Sequence, residues 1–350
     1  MQLADIDYEL PDGLIAQNPV EPRDSAKLLV ALGAAVEHKR VSDICEFIQE
    51  GDVVVVNETR VLASRIALRR SSGGRVELLL LEARDDGNQE WEVLIRPGRK
   101  MHVGEVLLAE NDMPFAEVKG RTEIGDTFVV RLLLGENAAE RLSVINEYGS
   151  MPLPHYITES LRDTERYQTV FSRAPKSAAA PTAGLHFTPE LLTKMKDKGA
   201  QVVVVELVVG LDTFKPVEAD NPLDHVIHSE SYNVPIETWD AVNNAKRVIA
   251  VGTTSVRALE SAATFKELSG RTTLFITPGY DWKIVDVMMT NFHMPRTTLL
   301  LMVQSFFGEE WRNLYALAKN ERYRFLSFGD AMLLARHGGA LTKGSPHVSG

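Results

Sequence analysis

Cysteine and long apolar runs are scarce in this chain of 350 residues. The only cysteine, Cys45, excludes an internal disulfide and any metal site built from several cysteines. The longest apolar candidate, TTLLLMVQSFF, is shorter than the roughly 20 residues that cross a membrane. The first residues, MQLADIDYELPDG, lack the basic and apolar regions of a signal peptide. We therefore expect a protein of the reducing cytoplasm, without a membrane span.

Three common fingerprints of nucleotide-binding and catalytic sites are also missing. No G-x-G-x-x-G follows a predicted strand, and neither G-x-x-x-x-G-K-[ST] nor the nucleophile elbow G-x-S-x-G occurs. The net charge of −10 argues mildly against nucleic acid, although local charge matters more than the sum. Basic clusters occur at RIALRR (65–70), at RPGRK (96–100) and between Arg312 and Arg324. Since such clusters are usually solvated surface, nucleic-acid binding stays open.

The order of strand and helix patterns predicts an α/β protein with an insertion. Between residues 61 and 148, short β-type runs alternate with turn clusters such as SSGG and DDGNQ, which predicts a small antiparallel sheet or barrel. On either side, strands such as AQVVVVELVVG alternate with helices such as TPELLTKMKDKG. The expected fold class is an α/β main domain (1–60 and 149–336) with an inserted small antiparallel β-barrel domain (61–148). The tail, 337–350, should be disordered.

Three polar loops each precede a predicted helix: PTAGLHFT (181–188), GTTS (252–255) and TNFHMPR (290–296). The last two follow strand ends, where open α/β sheets bind ligands. A helix N-terminus offers unpaired N–H groups and a positive dipole end to an anion. In GTTS, one hydroxyl is enough for an N-cap, and three in a row exceed that need. The pattern leaves capping and ligand binding both open.

Histidines and one carboxylate are the candidates for acid–base chemistry. His186 and His293 lie in two of these loops; a lone histidine is usually structural, but a helix start would keep it neutral and able to act as a base. The pattern DHVIHSE adds His225, His228 and Glu230. If residues 226–234 form a strand, His228 and Glu230 share a face that His225 does not, which favours an acid–base pair over a zinc site.

Several long motifs occur in a fixed order along the chain. These are LIAQNPVEPRDSAKLLV, GDVVVVNETRVLASRI, GSMPLPHYI, YQTVF, AAPTAGLHFT, VGTTSVRALES, TNFHMPRTTLLLMV and YRFLSFGDAMLL. From Tyr8 to Leu334, the set resembles the S-adenosylmethionine:tRNA ribosyltransferase-isomerases of queuosine synthesis. That family has an α/β domain with an inserted small β-barrel, in agreement with the fold predicted from turn spacing.

The resemblance implies an unusual transfer reaction. The ribosyl part of S-adenosylmethionine moves onto 7-aminomethyl-7-deazaguanine at the tRNA wobble position and is isomerised, giving epoxyqueuosine, adenine and methionine. S-adenosylmethionine is then a consumed co-substrate, the partner is the anticodon arm of tRNA, and we expect a monomer without cofactor or metal. The reaction needs a base for the ribose 5′ carbon, an acid for the departing adenine and a neutral attacking amine.

The resemblance also selects candidate residues. The catalytic candidates are His186, His228, Glu230 and His293. The substrate-binding candidates are Asn57, Arg65, Thr182, Gly184, Gly252, Thr253, Thr254, Ser255, Arg257 and Asn291. The chain departs from the family's usual LHVGLGTF at residues 207–214, where Val208 replaces a histidine and Asp212 a glycine. Because every other motif is intact, we expect that histidine to be structural in the family.

Three other functions remain open from the sequence. An S-adenosylmethionine-dependent RNA methyltransferase would use the same co-substrate, but its usual glycine-rich loop is missing. A metal-dependent hydrolase could use His225, His228 and Glu230 as ligands. A non-catalytic RNA-binding protein would have no need of three polar loops in a crevice.

Overall fold

The computed structural model describes residues 1–33, 35–99, 101–122, 127–210, 216–217, 219–227 and 229–337. In chain order, the strands of this part are β1 (Lys27–Ala31), β2 (Glu37–Arg40), β3 (Asp52–Asn57), β4 (Arg60–Val61), β5 (Arg65–Arg70), β6 (Arg75–Ala83), β7 (Glu90–Arg96), β8 (Val106–Leu108), β9 (Pro114–Arg121), β10 (Phe128–Leu132), β11 (Gly149–Ser150), β12 (Pro175–Ser177), β13 (Gln201–Leu207), β14 (Glu230–Asn233), β15 (Arg247–Val251), β16 (Ser269–Thr272), β17 (Val287–Asn291) and β18 (Ala331–Ala335). The α-helices are α1 (Ala138–Tyr148), α2 (Pro189–Asp197), α3 (Ile236–Asn244), α4 (Thr253–Phe265), α5 (Thr298–Phe307) and α6 (Trp311–Asn320). Short 3₁₀ helices lie at Leu3–Ile6, Asp12–Leu14, Arg23–Ser25, Val41–Phe47, Thr164–Tyr167, Thr182–His186 and Pro222–Asp224.

A mixed nine-stranded sheet forms the larger part of the molecule. Its strand order is β16-β14-β13-β3-β15-β17-β18-β1-β2. The central strands β13, β3, β15 and β17 run parallel to their neighbours in this group, so their carboxyl ends meet at one edge. β3 is buried along its whole length, as expected of a central strand covered on both faces.

Helices cover both faces of this sheet. On one face, α4 and α5 contribute Leu259 and Leu300 to a core that includes Val55 of β3. On the other face, α2 packs Leu191 against Val54. Successive residues of a strand point to opposite faces, which explains how neighbouring valines enter different cores. None of the helices in the described part of the chain has both the length and the apolar character of a membrane span.

The second large sheet is a closed antiparallel barrel. Its six strands follow the order β5-β6-β7-β10-β9-β8, and β8 pairs back with β5. Ile66, Leu78, Trp91 and Val93 fill the interior, and closure leaves few strand edges free to pair with other chains. The strand β11 pairs with the start of β5. The predicted fold class, an α/β domain with an inserted antiparallel β-barrel, is confirmed; the exact domain bounds stay a prediction.

Two local predictions are wrong. The insertion is not all β, because α1 occupies residues 138–148. Asn137 caps this helix, and its side chain accepts from the Glu140 N–H. The strand expected at 226–234 begins only at Glu230, since its pairing with β16 spans four residues. His228, Asp212 and residues 338–350 lie outside the described residues, so the predictions about them are not tested.

Candidate active site

The carboxyl edge of β15 and β17 opens into a crevice made of three adjoining cavities. Leu299 of α5 lines all three of them. Thr253 and Thr254 line two, and Asn291 and His293 also line two. Thr182 also lines two of the cavities. All three polar stretches singled out in the sequence therefore meet where an open α/β sheet is expected to bind its ligand.

The first part of the crevice is the start of α4. Gly252 has φ +88° and ψ 148°, a backbone conformation open to glycine and costly for other residues. It lets β15 turn directly into the helix, which begins at Thr253. The GTTS stretch is thus the first turn of α4 rather than a loop before it. The N–H groups of a first turn have no intrahelical acceptor, so they are available to a ligand.

The adjacent hydroxyls of Thr254 and Ser255 have different roles. Ser255 is fully buried, and its hydroxyl donates to the Val251 carbonyl oxygen at 2.8 Å. Thr254 Oγ1 is buried at the cavity wall and has no hydrogen-bond partner among the described residues. An unsatisfied buried hydroxyl costs about 1–3 kcal/mol. Of the two hydroxyls, that of Thr254 is therefore the one available to hydrogen-bond a ligand.

A buried ion pair between Glu230 and Arg257 forms one end of the crevice. Glu230 also accepts from the Gly210 N–H at 3.1 Å. Arg257 donates to the carbonyl oxygens of Leu274 and Thr272 at 3.2 and 3.1 Å. Burial lowers the pKa of Arg257, and the Glu230 carboxylate acts against this shift. The two charges are held in place by backbone groups on both sides.

His225 lines the same cavity as Glu230. The expectation that strand geometry would separate the two residues is wrong, because the chain enters β14 only at Glu230. In the described ranges, no group of three His, Cys, Asp or Glu residues lies close enough together to hold a metal ion. Since His228 is outside those ranges, the prediction of a metal-free site stays a prediction.

His293 follows β17 and is fixed by three hydrogen-bonding groups. Its ring Nε2 lies 2.9 Å from Thr290 Oγ1. Its backbone N–H donates to the Tyr315 hydroxyl at 3.0 Å, and its carbonyl oxygen accepts from the Tyr8 hydroxyl. Burial lowers the pKa of His293 to about 3. The imidazole is therefore neutral at pH 7 and lies on the crevice wall.

His186 reaches the crevice only through Asn291. Asn291 Oδ1 accepts from the Thr182 hydroxyl at 2.9 Å, and Asn291 Nδ2 lies 3.4 Å from His186 Nε2. Thr182 and Asn291 line the crevice, whereas His186 is buried behind them. His186, a catalytic candidate from the sequence, is therefore not part of the crevice lining. Burial lowers the pKa of His186 to about 4, and the charge of Arg324 is the second cause of this shift. The histidine is neutral as expected, but because of its burial rather than because of a helix dipole.

Four predicted binding residues lie outside the crevice lining: Ser255, described above, and Gly184, Asn57 and Arg65. A Cβ on Gly184 would lie 2.7 Å from an aromatic ring, so this glycine is required by packing. The Asn57 side chain holds β3 to β13, donating to the Leu207 carbonyl oxygen at 3.0 Å. Arg65 is on the barrel, 3.3 Å from the carboxylate of Glu77. Binding roles for these residues therefore remain predictions from the resemblance.

Two crevice residues were not selected from the sequence. The hydroxyls of Tyr156 and Ser327 lie 2.6 Å apart, and both side chains line the crevice. Burial raises the pKa of Tyr156 to about 12, so its hydroxyl keeps its proton at neutral pH. The two residues belong to GSMPLPHYI and YRFLSFGDAMLL.

Val208, which stands where the family usually has a histidine, is placed beside the crevice rather than in it. It lines none of the three cavities. Its backbone N–H donates to the Ser231 carbonyl oxygen at 2.9 Å, continuing the pairing of β13 with β14. The backbone contact can be made by any residue other than proline.

Comparison with known proteins gives one consistent result. The family described as queuosine biosynthesis protein matches residues 3–334. An S-adenosylmethionine:tRNA ribosyltransferase-isomerase of Carboxydothermus hydrogenoformans is 45% identical over 344 residues, covering 95% of this chain and 100% of the relative. One from Symbiobacterium thermophilum is 45% identical over 348 residues with the same coverage. The crystal structure of an S-adenosylmethionine tRNA ribosyltransferase from Thermotoga maritima is 36% identical, with a TM-score of 0.53, covering 94% of this chain and 99% of that one.

Proposed function

This chain belongs to the family of queuosine biosynthesis proteins, and from that premise we propose that it is an S-adenosylmethionine:tRNA ribosyltransferase-isomerase whose active site is the crevice. The enzyme transfers the ribosyl part of S-adenosylmethionine to 7-aminomethyl-7-deazaguanine at the tRNA wobble position and isomerises it. Adenine and methionine leave. The RNA methyltransferase and the metal-dependent hydrolase find no support among the relatives.

The observation that carries the assignment of the site is the unpartnered hydroxyl of Thr254. It lies in the first turn of α4, beside N–H groups that lack intrahelical acceptors. The methionine carboxylate of S-adenosylmethionine is an anion, and a helix N-terminus with a free hydroxyl suits it. We assign the carboxylate to Thr253 and Thr254, and the reacting ribose to the neighbouring cavity that His293 also lines.

The chemistry of the reaction fits the groups on this wall. The sulfonium makes the ribose 5′ carbon acidic, and a neutral histidine is the kind of base that can remove its proton. We assign that role to His293, which burial keeps unprotonated. The cavity that combines Phe275 and Ile276 with the Glu230–Arg257 pair suits adenine, since such rings bind to apolar walls with a few polar partners. His186 then holds Asn291 in place.

The remaining parts of the proposal concern the setting. We infer that the protein acts as a monomer on tRNA in the cytoplasm, with S-adenosylmethionine consumed and no separate cofactor. His228 remains a catalytic candidate through the family resemblance alone.

The products of one reaction test this function. Ribose-labelled and methyl-labelled S-adenosylmethionine is incubated with the protein and tRNA that carries the aminomethyl-deazaguanine. We expect adenine and methionine in equal amounts, in step with ribosyl label entering the tRNA. The same tRNA with guanine at the wobble position is the control and should release neither. S-adenosylhomocysteine with methyl-labelled tRNA would overturn the proposal in favour of a methyltransferase.

A further inference from the structure

A concave basic groove on the outside of the barrel has no part in the site described so far. It is formed by the neighbouring strands β5, β6 and β7 together with the loop after β8 and the end of β11. Its charged lining consists of Arg65, Arg69, Arg75, Arg96, Glu77 and Glu110. The groove is therefore locally positive on a chain whose net charge is −10.

Strand register brings these arginines to one face. Arg69 of β5 is directly opposite Arg75 of β6, and Glu77 of β6 is opposite Arg96 of β7. The intervening residues, such as Ile66, point into the barrel core. Neighbouring strands lie about 4.8 Å apart, so the guanidinium groups share one surface. Like charges directly opposite each other destabilise a sheet. Asp112 pairs with Arg69, so the charge that a bound anion would neutralise is that of Arg75.

Two of the four arginines have their charge available. Arg75 and Arg96 are exposed, and within the described ranges neither side chain has a hydrogen bond or an ion pair. Arg65 lies 3.3 Å from Glu77, and Arg69 pairs with Asp112. The groove thus has two arginines engaged with carboxylates and two that face solvent, both on a concave surface.

The chain itself limits the distance from this groove to the crevice. Ser150 of β11 lines the groove, and Tyr156 lines the crevice. Five residues lie between them, and the six steps from Ser150 to Tyr156 can span at most about 22 Å, even fully extended. Arg65 brings the groove closer to the segment that leads to Tyr156, because its guanidinium donates to the Leu153 carbonyl oxygen at 3.3 Å. A substrate held in the crevice and long enough to extend about 22 Å can therefore reach the groove.

We propose that this groove binds the phosphodiester backbone of the substrate tRNA next to the wobble nucleotide. The inference rests on the proposed function, which supplies a polyanion whose reacting base must enter the crevice. Arginine pairs with phosphate through two parallel hydrogen bonds, and such contacts position a nucleic acid without reading its sequence. Arg75 and Arg96 would supply the phosphate contacts, and Arg65 links the groove to the segment that carries Tyr156.

The test compares two double variants of the full-length protein that remove equal charge. R75A/R96A removes the two solvent-facing arginines of the groove. R131A/K196A removes two exposed cations elsewhere, one on β10 of the barrel and one on α2. The affinity for tRNA carrying the aminomethyl-deazaguanine is measured by fluorescence anisotropy between about 50 and 200 mM salt, the range over which phosphate contacts change affinity strongly.

We expect R75A/R96A to weaken tRNA binding at least about tenfold at low salt and to reduce the slope of log K against log salt by about 1.4–1.8, as loss of two phosphate contacts requires. The KM for tRNA should rise while the KM for S-adenosylmethionine stays unchanged. R131A/K196A should bind like the wild type. If the two double variants bind tRNA with equal affinity and equal salt dependence, the proposal that the groove binds tRNA is wrong.

The experiments distinguish failure of the groove proposal from failure of the proposed enzymatic function. If the wild type releases adenine and methionine while R75A/R96A binds tRNA normally, the groove does not bind tRNA and the proposed function is retained. If the wild type releases no adenine, but R75A/R96A alone binds tRNA more weakly and with less salt dependence, the groove binds tRNA and the proposed function is wrong. Thermal unfolding of R75A/R96A should match the wild type, because the side chains of Arg75 and Arg96 have no described partner to lose. R131A/K196A should unfold within about 0.5 kcal/mol of the wild type, because Arg131 loses only an exposed contact with Gln89 at 3.4 Å.

Discussion

At the scale of single residues, the neighbouring hydroxyls of α4 give a matched pair of substitutions. Thr254→Val keeps the side-chain shape and removes a hydroxyl that has no partner in the described protein. The free energy of unfolding should therefore rise by about 1–3 kcal/mol, because the substitution removes an unsatisfied buried hydroxyl. The KM for S-adenosylmethionine should rise by about ten- to a hundredfold, since a hydrogen bond to a charged group contributes about 1.5–3 kcal/mol.

Ser255→Ala is the control for that prediction, measured with the same steady-state assay. The Ser255 hydroxyl bonds to its own helix backbone, so its loss should leave the KM unchanged and cost a little stability. A raised KM in Ser255→Ala together with a normal KM in Thr254→Val would contradict the assignment of the carboxylate to Thr254.

The buried histidines make stability depend on pH. The pKa of His293 is lowered to about 3 and that of His186 to about 4, from an ordinary value of 6.5. Above pH 6.5 both are neutral whether the chain is folded or unfolded, so neither affects stability. As pH falls below 6.5, the unfolded chain takes up protons that the folded protein does not. Each histidine should then cost about 1.4 kcal/mol of unfolding free energy per pH unit, or about 2 kcal/mol at pH 5.

Urea unfolding of the wild type, His186→Gln and His293→Gln at pH 7 and pH 5 measures this effect. Glutamine keeps a polar group near Asn291 or Thr290 and cannot titrate. Each variant should lose less stability between pH 7 and pH 5 than the wild type does. Parallel losses in all three proteins would mean that neither histidine is held neutral by the fold.

At the scale of elements, the junction of β15 and α4 depends on the backbone of Gly252. Gly252→Ala places a side chain at φ +88°, which should cost about 1–3 kcal/mol. The added Cβ would also lie 3.5 Å from Thr254 Oγ1, on the ligand side of the helix start. Scanning calorimetry should show a lower Tm, by about 2–4 °C per kcal/mol, and the KM for S-adenosylmethionine should rise.

Gly13→Ala is the matched control, because a Cβ at Gly13 meets nothing within 4 Å and its φ lies outside the left-handed region. Its Tm and KM should match the wild type. If Gly252→Ala behaves like Gly13→Ala, the strand-to-helix turn does not constrain the site.

The elements that could be predicted from sequence are those with strong local signals. Thr188 caps α2 by accepting from the Leu191 N–H, as the Thr–Pro pair indicates. Helix α1 was missed because it buries only Arg141 and Ile145, which leaves little apolar periodicity to detect. The bounds of β14 could not be predicted, since they are set by pairing with a strand some forty residues away.

The site was predictable in part for the same reason. Loops at strand ends could be recognised locally, and Thr254, Asn291 and His293 do meet in the crevice. Which of two histidines faces the cavity depends on contacts such as that of Asn291 with His186, 105 positions apart. No local pattern encodes a contact at that separation.

At the scale of the whole molecule, the protein should need no metal for activity. Glu230, the one carboxylate of the proposed metal cluster that the structure describes, already has Arg257 as its ion-pair partner. A divalent cation would have to displace that guanidinium. Adenine release should therefore be unchanged after dialysis against a chelator. Loss of activity on chelation and its recovery with zinc would contradict this prediction and would support a metal site formed by His225, His228 and Glu230.

The central claim is that the histidine on the crevice wall performs the chemistry and the one behind it holds Asn291. Single-turnover adenine release, measured for His293→Gln and His186→Gln with saturating S-adenosylmethionine and tRNA, tests this most directly. His293→Gln should lower the rate about 10²–10⁴-fold, as loss of a general base does. His186→Gln should stay within about tenfold of the wild type, because it alters only a positioning contact. A near-normal rate in His293→Gln with the large loss in His186→Gln would contradict the account.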